Sequence, residues 1–283
     1  MDLNFIRAIR GDGSLDGVFL LITSLGSELG YIALLTLTFM LAPRIGRQLG
    51  LWFGVGVAIN TALKYGFNLP RPFTLEPEIT SAAAKTTASG PGLPSSHAQN
   101  AAFFWGVLGL YMSRPIIWVA CVVVVLLVAF SRLYLGVHFL DDVLLGLALG
   151  AGMAFVATRL EVGRINGIVA FGLLVALGAL SALLPEDYGR TFGVLWGFLS
   201  ASAAFTPPAR PLPRAAFALG GLLLALALYV GSSVLLPEAI KRSGVSNFLR
   251  YALLTFAVAE IYPRLLLGAT AKARGIQVNA PLT

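Results

Sequence analysis

Hydrophobic and polar positions along this chain alternate in blocks rather than residue by residue. Apolar runs about as long as a bilayer-crossing helix, roughly 20 residues, are separated by short polar connections, without the two-residue alternation of a membrane β-barrel. The blocks predict nine spans: about Leu25 to Ala42, Leu51 to Tyr65, a third that opens at Pro94-Ser-Ser-His97 and runs to Met112, Ile116 to Tyr134, His138 to Thr158, Ile165 to Leu184, Thr191 to Phe205, Ala215 to Leu236 and Phe248 to Leu267. Proline punctuates them, with Pro43 closing the first and Arg114-Pro115 turning the chain into the fourth. Leu15 to Ile22 is also apolar and belongs to the first span if that helix is longer and tilted. Ahead of it, Met1 to Asp16 mixes Asp2, Arg7, Arg10, Asp12 and Asp16 with Leu3, Phe5, Ile6 and Ile9, as a short interfacial helix does. This stretch lacks the order of a signal peptide and is expected to be retained. In the fifth span Gly146, Gly150 and Gly152 offer a small-residue face on which another helix can approach closely.

Composition fixes the class. Hydrophobic residues make up 57% of the chain and charged residues 12%, where a soluble domain carries about 25% charged. The expected fold is all-α, a polytopic helical membrane protein. Cys121, the single cysteine, sits inside an apolar run, so there is neither a disulfide framework nor a cysteine metal cluster. Arg44, Arg47, Arg114, Arg159, Arg164, Arg210, Arg214, Arg264, Lys272 and Arg274 fall on one side of the predicted topology with only Glu161 against them, while nearly all the other carboxylates fall on the opposite side. Basic loops stay in the cytoplasm, which predicts an outward N-terminus and a cytoplasmic C-terminus in a plasma-membrane protein. Cytoplasmic loops and an anion site account for most of the net charge of +7. The aromatic interleaving of a nucleic-acid groove is absent, so the expected partners are the bilayer and a membrane lipid.

The candidate chemistry gathers at the predicted outer ends of the second to fifth spans. Both histidines of the chain, His97 and His138, lie in polar knots between apolar runs. His138 and Asp142 are four apart, so on a helix the carboxylate can orient one imidazole nitrogen while the other faces a substrate. Asp141, three residues on, is within the same reach. Lys64, Arg71 and Arg132 have too few carboxylates beside them to be neutralised, and an arginine fork matches phosphate. Charged groups in such segments are usually functional and turned inward. Ser95 and Ser96 stand where a polar loop becomes a helix, with hydroxyls and backbone N–H groups available to an anion. The residues alone therefore specify an anion site with a carboxylate-oriented histidine, and leave open which histidine attacks.

Lys64 with Arg71-Pro72, then Pro94-Ser95-Ser96-His97, then Ser131-Arg132 with His138 and Asp142, resemble in order and spacing the three-part signature of the type 2 phosphatidic acid phosphatase superfamily. One position departs from it, since Ser96 stands where glycine is usual, as a hydroxyl residue does in the dolichyl diphosphatase and sphingosine phosphate phosphatase branches. The resemblance covers about Leu51 to Thr158. It implies a phosphatase helical-bundle core and does not reach the last four spans, so the expected organisation is residues 1–160 as catalytic membrane core and residues 161–283 as a four-span extension counted from the apolar runs. It further implies that His138 is the nucleophile, that Asp142 holds its tautomer, and that His97 is general acid and then base. Lys64, Arg71, Ser95, Ser96 and Arg132 would bind the phosphoryl oxygens, with no metal and no cofactor. The expected activity is hydrolysis of a lipid phosphate or polyprenyl diphosphate at the outer face. A sugar phosphatase or a phosphotransferase would use the same residues. A lipid transporter or flippase would call for paired broken helices in two similar halves, and no internal repeat is visible.

Overall fold

The computed structural model describes residues 2–112 and 114–273, and all regular structure among them is helical. In chain order the helices are α1 Leu3–Arg10, α2 Asp16–Ser24, α3 Glu28–Leu41, α4 Pro43–Phe67, α5 Pro72–Leu75, α6 Ala82–Lys85, α7 Ser96–Met112, α8 Pro115–Tyr134, α9 Leu140–Ala157, α10 Gly167–Leu183, α11 Glu186–Ser200, α12 Pro211–Leu235, α13 Glu238–Lys241, α14 Gly244–Phe256 and α15 Tyr262–Ala273. A single π-turn, Ala257–Ile261, joins the last two. Helical segments therefore stand at all nine expected places.

By length and apolarity alone four segments can cross a membrane: Asp16–Leu41, Pro115–Tyr134, Leu140–Ala157 and Pro211–Leu235, with Gly167–Leu183 as a shorter apolar helix. The others are too short or carry charge, as α4 does with Arg44, Arg47 and Lys64. The expected first span, Leu25 to Ala42, forms as α3, and the longer version that takes in Leu15 to Ile22 is interrupted, since α2 and α3 are separated at residues 25–27. Proline sets several starts: Pro72, Pro115 and Pro211 open α5, α8 and α12, where a missing N–H costs nothing.

The chain forms two compact units. The first takes the N-terminal residues through Tyr31 together with Trp52–Glu161, and the second takes Ile32–Leu51 and the chain from Val162 onward. Within the first, α7 and α9 pack with almost no side chain between them. A Cβ on Gly146 would lie 2.6 Å from the Ser95 carbonyl oxygen, and one on Gly150 would lie 2.2 Å from that of Gln99, whereas Gly152 faces open space and takes no part in the seam. This seam brings the start of α7 against the start of α9. The amphipathic α1 lies over the same end: Ile6 is fully buried in a cluster with Ile79 and Phe139, Arg7 pairs with Glu76, and Arg10 pairs with Asp16 at 2.8 Å.

In the second unit Gly189, Gly193 and Gly197 set α11 directly on α14, the first two against its backbone and the third against the Thr255 side chain. Phe39, Met40, Leu51, Phe198, Phe217 and Val258 make up most of its core. Arg47, counted from the sequence among the cytoplasmic loop charges, is buried in α4 instead, donating to the carbonyls of Ala201, Val162 and Gly163 at 2.6 to 2.9 Å. An arginine fork has five N–H donors to place, and helix ends and connections supply the free carbonyls that satisfy them.

Candidate active site

All eight residues singled out from the sequence lie in the first unit. His138 sits on the connection between α8 and α9, two residues before α9 begins, and Asp142 is in the first turn of α9. The Asp142 Oδ2 oxygen accepts from the Phe139 backbone N–H at 3.0 Å and from His138 Nδ1 at 3.0 Å. One carboxylate thus caps the helix and holds the imidazole. Asp141 is exposed, while Asp142 and His138 are buried. The geometry chooses between the two aspartates that spacing alone left open.

The tautomer follows from the partners. Arg71 Nη1, which can only donate, lies 2.9 Å from His138 Nε2, so Nε2 carries the lone pair and Nδ1 carries the hydrogen that goes to Asp142. Burial holds His138 well below the usual imidazole range, and Arg71, Lys64, Arg132 and His97 push it further in the same direction. His138 is therefore held in its neutral form, with the Nε2 lone pair facing the Arg71 guanidinium. The groups acting on this imidazole come from three separate segments, residues 64–71, His97 and residues 132–142.

Each cation is gripped from the loop that precedes α7. Lys64, in the last turns of α4, donates to the carbonyls of Pro91 at 2.8 Å and Gly92 at 3.3 Å. Arg71 donates to the carbonyls of Gly90 (2.8 Å), Ser89 (2.7 Å) and Val137 (2.9 Å). Its own proton affinity is pushed down to about 10, by burial, against the pull of Asp142. Arg132, in the last turn of α8 and wholly buried, donates from Nη1 to the hydroxyls of Thr23 (2.5 Å) and Thr87 (3.1 Å) and from Nη2 to the Thr87 carbonyl (3.0 Å). Its Nε–H has no partner among the described residues. A buried guanidinium N–H without an acceptor is costly, and in this unit three buried cations, Lys64, Arg71 and Arg132, stand with one buried carboxylate, Asp142. Such an excess of buried positive charge suits an anion with several oxygens.

The serines divide. Ser95 is buried at the start of α7, where its N–H donates to the Asp142 carbonyl at 2.9 Å and its carbonyl accepts from Gln99 N–H at 3.0 Å, which ties α7 to α9. Ser96 donates its hydroxyl hydrogen to Asn60 Oδ1 at 2.8 Å. Asn60 in turn donates to Gln99 Oε1 (2.8 Å), and Gln99 to the Gly56 carbonyl (2.7 Å). This buried relay fixes the first turn of α7 to α4 one turn before Lys64. The histidine that follows, His97, packs beside Gly26 at the break between α2 and α3.

Asn60, Gln99, Thr23 and Thr87 were not singled out from the sequence. Asn60 and Gln99 are the detectable pair, two amides on apolar helices where an unpartnered amide would be costly. Thr23 and Thr87 carry no such signal.

Comparison with known proteins covers the part of the chain that holds these residues. The family model described as the PAP2 superfamily matches residues 46–165, and the model described as the transmembrane extension of PAP2 superfamily phosphatases matches residues 185–274. Among curated relatives, an undecaprenyl-diphosphatase of Sulfolobus acidocaldarius is 28% identical over 158 residues, 52% of this chain and 71% of that protein. A phosphatidylglycerophosphatase B of Bacillus subtilis is 30% identical over 112 residues, 36% of this chain and 51% of that protein, so the match spans about half of its length. Solved structures that resemble the chain include a PAP2-type phosphatidylglycerolphosphate phosphatase from Bacillus subtilis (TM-score 0.47, 26% identity, 55% of this chain and 82% of that one). Aquifex aeolicus LpxE is another (TM-score 0.49, 24% identity, 56% and 95%).

Proposed function

Because this chain belongs to the PAP2 superfamily of multi-pass membrane phosphatases, we propose that it hydrolyses a polyprenyl diphosphate at the outer face of the plasma membrane through a phosphohistidine. The observation that carries the proposal is the line from Asp142 Oδ2 through His138 to Arg71, which leaves the Nε2 lone pair facing the Arg71 guanidinium. In the proposed reaction the substrate's phosphoryl oxygens take over the donors of Lys64, Arg71 and Arg132, which releases Nε2. Nε2 attacks phosphorus, the bond from phosphorus to the leaving oxygen breaks, and His97, in the imidazolium form that the bound anion favours, delivers its proton to that oxygen. His97 then takes a proton from water, whose oxygen attacks the phosphohistidine, and Nε2 leaves with its electron pair restored. Ser95 and Ser96 line the same turn of α7, the first holding its backbone and the second able to accept once it is bonded to Asn60. The cations act where charge redistributes in the transition state, the dominant contribution in phosphoryl transfer.

A lipid is favoured over a soluble ester because Lys64, Arg132 and Asp142 stand in the terminal turns of their helices, and helix ends in a bilayer-embedded protein would let a phosphate enter sideways with its chains still in the lipid. The polyprenyl diphosphate reading draws on Ser96 and on the undecaprenyl-diphosphatase relative. The deciding experiment is a panel assay of the purified chain in detergent with undecaprenyl diphosphate, phosphatidic acid, phosphatidylglycerophosphate and glucose 6-phosphate, with His138→Ala as control. Turnover of the diphosphate that disappears in His138→Ala is the expected outcome. Efficient turnover of glucose 6-phosphate with none of any lipid would overturn the substrate class. Phosphate release by His138→Ala near the wild-type rate would overturn the nucleophile. Reporter fusions placing the C-terminus outside would overturn the orientation.

A further inference from the structure

The break between α2 and α3 precedes residues 46–165, the part of the chain that the superfamily model matches, yet it touches both Arg132 and His97. Thr23, in the last turn of α2, is 2% exposed and turns its hydroxyl oxygen to Arg132 Nη1 at 2.5 Å. Its neighbour Ser24 does what a hydroxyl in an apolar helix ordinarily does, returning its hydrogen to the carbonyl of Leu21 at 2.6 Å. Three residues after Thr23, a Cβ on Gly26 would lie 3.1 Å from His97 Cδ2, 3.4 Å from His97 Cβ and 2.8 Å from Val128 Cγ1. Val128 is fully buried, so little room exists on that side and the imidazole would have to give way.

We propose that Thr23 and Gly26 are positioning residues for the phosphoryl-transfer site, with Thr23 fixing the guanidinium of Arg132 and Gly26 leaving the space that seats the ring of His97. The inference rests on the phosphatase reading given above. The two threonines, Thr23 and Thr87, hold the Nη end of the Arg132 fork from behind and leave its Nε edge unpartnered. A fork held in this way presents a fixed edge to an anion. Valine at position 23 has the shape of threonine without the acceptor, so Nη1 keeps only Thr87 and the fork is free to turn. Alanine at position 26 displaces the His97 ring from the leaving oxygen while Lys64, Arg71 and Arg132 stay in place.

The test uses the purified full chain in detergent and two phosphate monoesters: a long-chain alkyl phosphate, whose leaving oxygen needs a proton, and p-nitrophenyl phosphate, whose leaving group departs without one. Thr23→Val is expected to lower kcat/KM on both esters alike, roughly ten- to a hundredfold, and to weaken inhibition by orthovanadate by a similar factor. Thr23→Ser should restore both. Gly26→Ala should cost about tenfold more on the alkyl phosphate than on p-nitrophenyl phosphate, since only the former draws on the general acid. Wild-type values in Thr23→Val, or equal losses on the two esters in Gly26→Ala, would overturn the proposal. If Gly26→Ala does not fold, the shape-preserving Thr23 pair decides alone. A wild-type protein that releases phosphate from neither ester nor from undecaprenyl diphosphate overturns the phosphatase reading and this assignment with it; if wild type turns over the diphosphate alone, the Thr23 pair is read on that substrate, and turnover by wild type with unaffected variants overturns this assignment only.

Discussion

Replacing Asp142 by asparagine tests how much of the site depends on charge and how much on the position of one oxygen atom. Oδ2 accepts two hydrogen bonds at once, from Phe139 N–H and from His138 Nδ1, each at 3.0 Å. The Phe139 N–H is a donor that cannot change sides, so an asparagine must place its carbonyl oxygen, not its NH2, at that point. The same oxygen then still receives the His138 hydrogen, and the reactive tautomer survives. What is lost is the charge: a bond to a charged acceptor is worth about 1.5 to 3 kcal/mol and a neutral one about 0.5 to 1.5. The difference of about 1 to 1.5 kcal/mol corresponds to a fall in kcat of roughly five- to fifteenfold. Asp142→Ala removes both bonds, uncaps α9 and frees the ring to turn, and two charge-assisted bonds are worth about 3 to 6 kcal/mol, so kcat should fall at least a hundredfold. Phosphate release from undecaprenyl diphosphate, measured on both variants at matched thermal stability in detergent, separates the two. An asparagine variant as inactive as the alanine variant would refute the single-oxygen reasoning, and an alanine variant near wild type would refute the role of Asp142 altogether.

The acid limb of kcat/KM should lie below the ordinary imidazole value of 6.5, because burial and three cations hold His138 neutral and activity is lost only as pH falls through its lowered value. Arg71→Gln removes one of those cations and should move the limb to higher pH in whatever activity remains, so a pH profile that moves the opposite way contradicts the assignment. Activity should persist in excess EDTA, since Lys64, Arg71 and Arg132 supply the positive charge; a loss that magnesium or zinc reverses would contradict it. Gly150→Ala forces a Cβ to 2.2 Å from the Gln99 carbonyl oxygen and should destabilise the α7–α9 pair by about 1 to 3 kcal/mol, so an unchanged melting temperature would show that the seam is looser than described.

Much of this site could be read from residue types because charge is scarce in an apolar chain. Lys64, Arg71, Arg132, His97, His138 and Asp142 were conspicuous for that reason, and they converge. Their contact geometry was less legible. His138 and Asp142 were expected to meet as neighbours on one helix face, yet His138 precedes α9 and the two meet through the capping of its first turn. Ser96 was expected to donate to phosphate, and its hydrogen goes to Asn60 instead. That bond joins residues 36 positions apart, a separation at which no spacing rule operates. The break between the apolar stretch ending at Ile22 and the span starting at Leu25 was only half legible, since Leu25, Gly26 and Ser27 interrupt the helix without a proline to announce it. Arg47 misled for a related reason. Sequence counts a charge near a span end as a loop charge, whereas the carbonyls that draw it inward belong to residues more than a hundred positions away.

The grip on Lys64 and Arg71 comes from main-chain oxygens of Ser89, Gly90, Pro91 and Gly92, and this decides how the segment can vary by mutation. Every amino acid carries the same carbonyl, so exchanging the side chain at Ser89 or Pro91 leaves the acceptors where they were, and a substitution scan would record these positions as permissive. Removing or adding one residue there shifts the acceptors along the chain relative to both cations. The segment can therefore change its letters far more freely than its length, and its part in the site would show itself through insertions and deletions, not through point mutations.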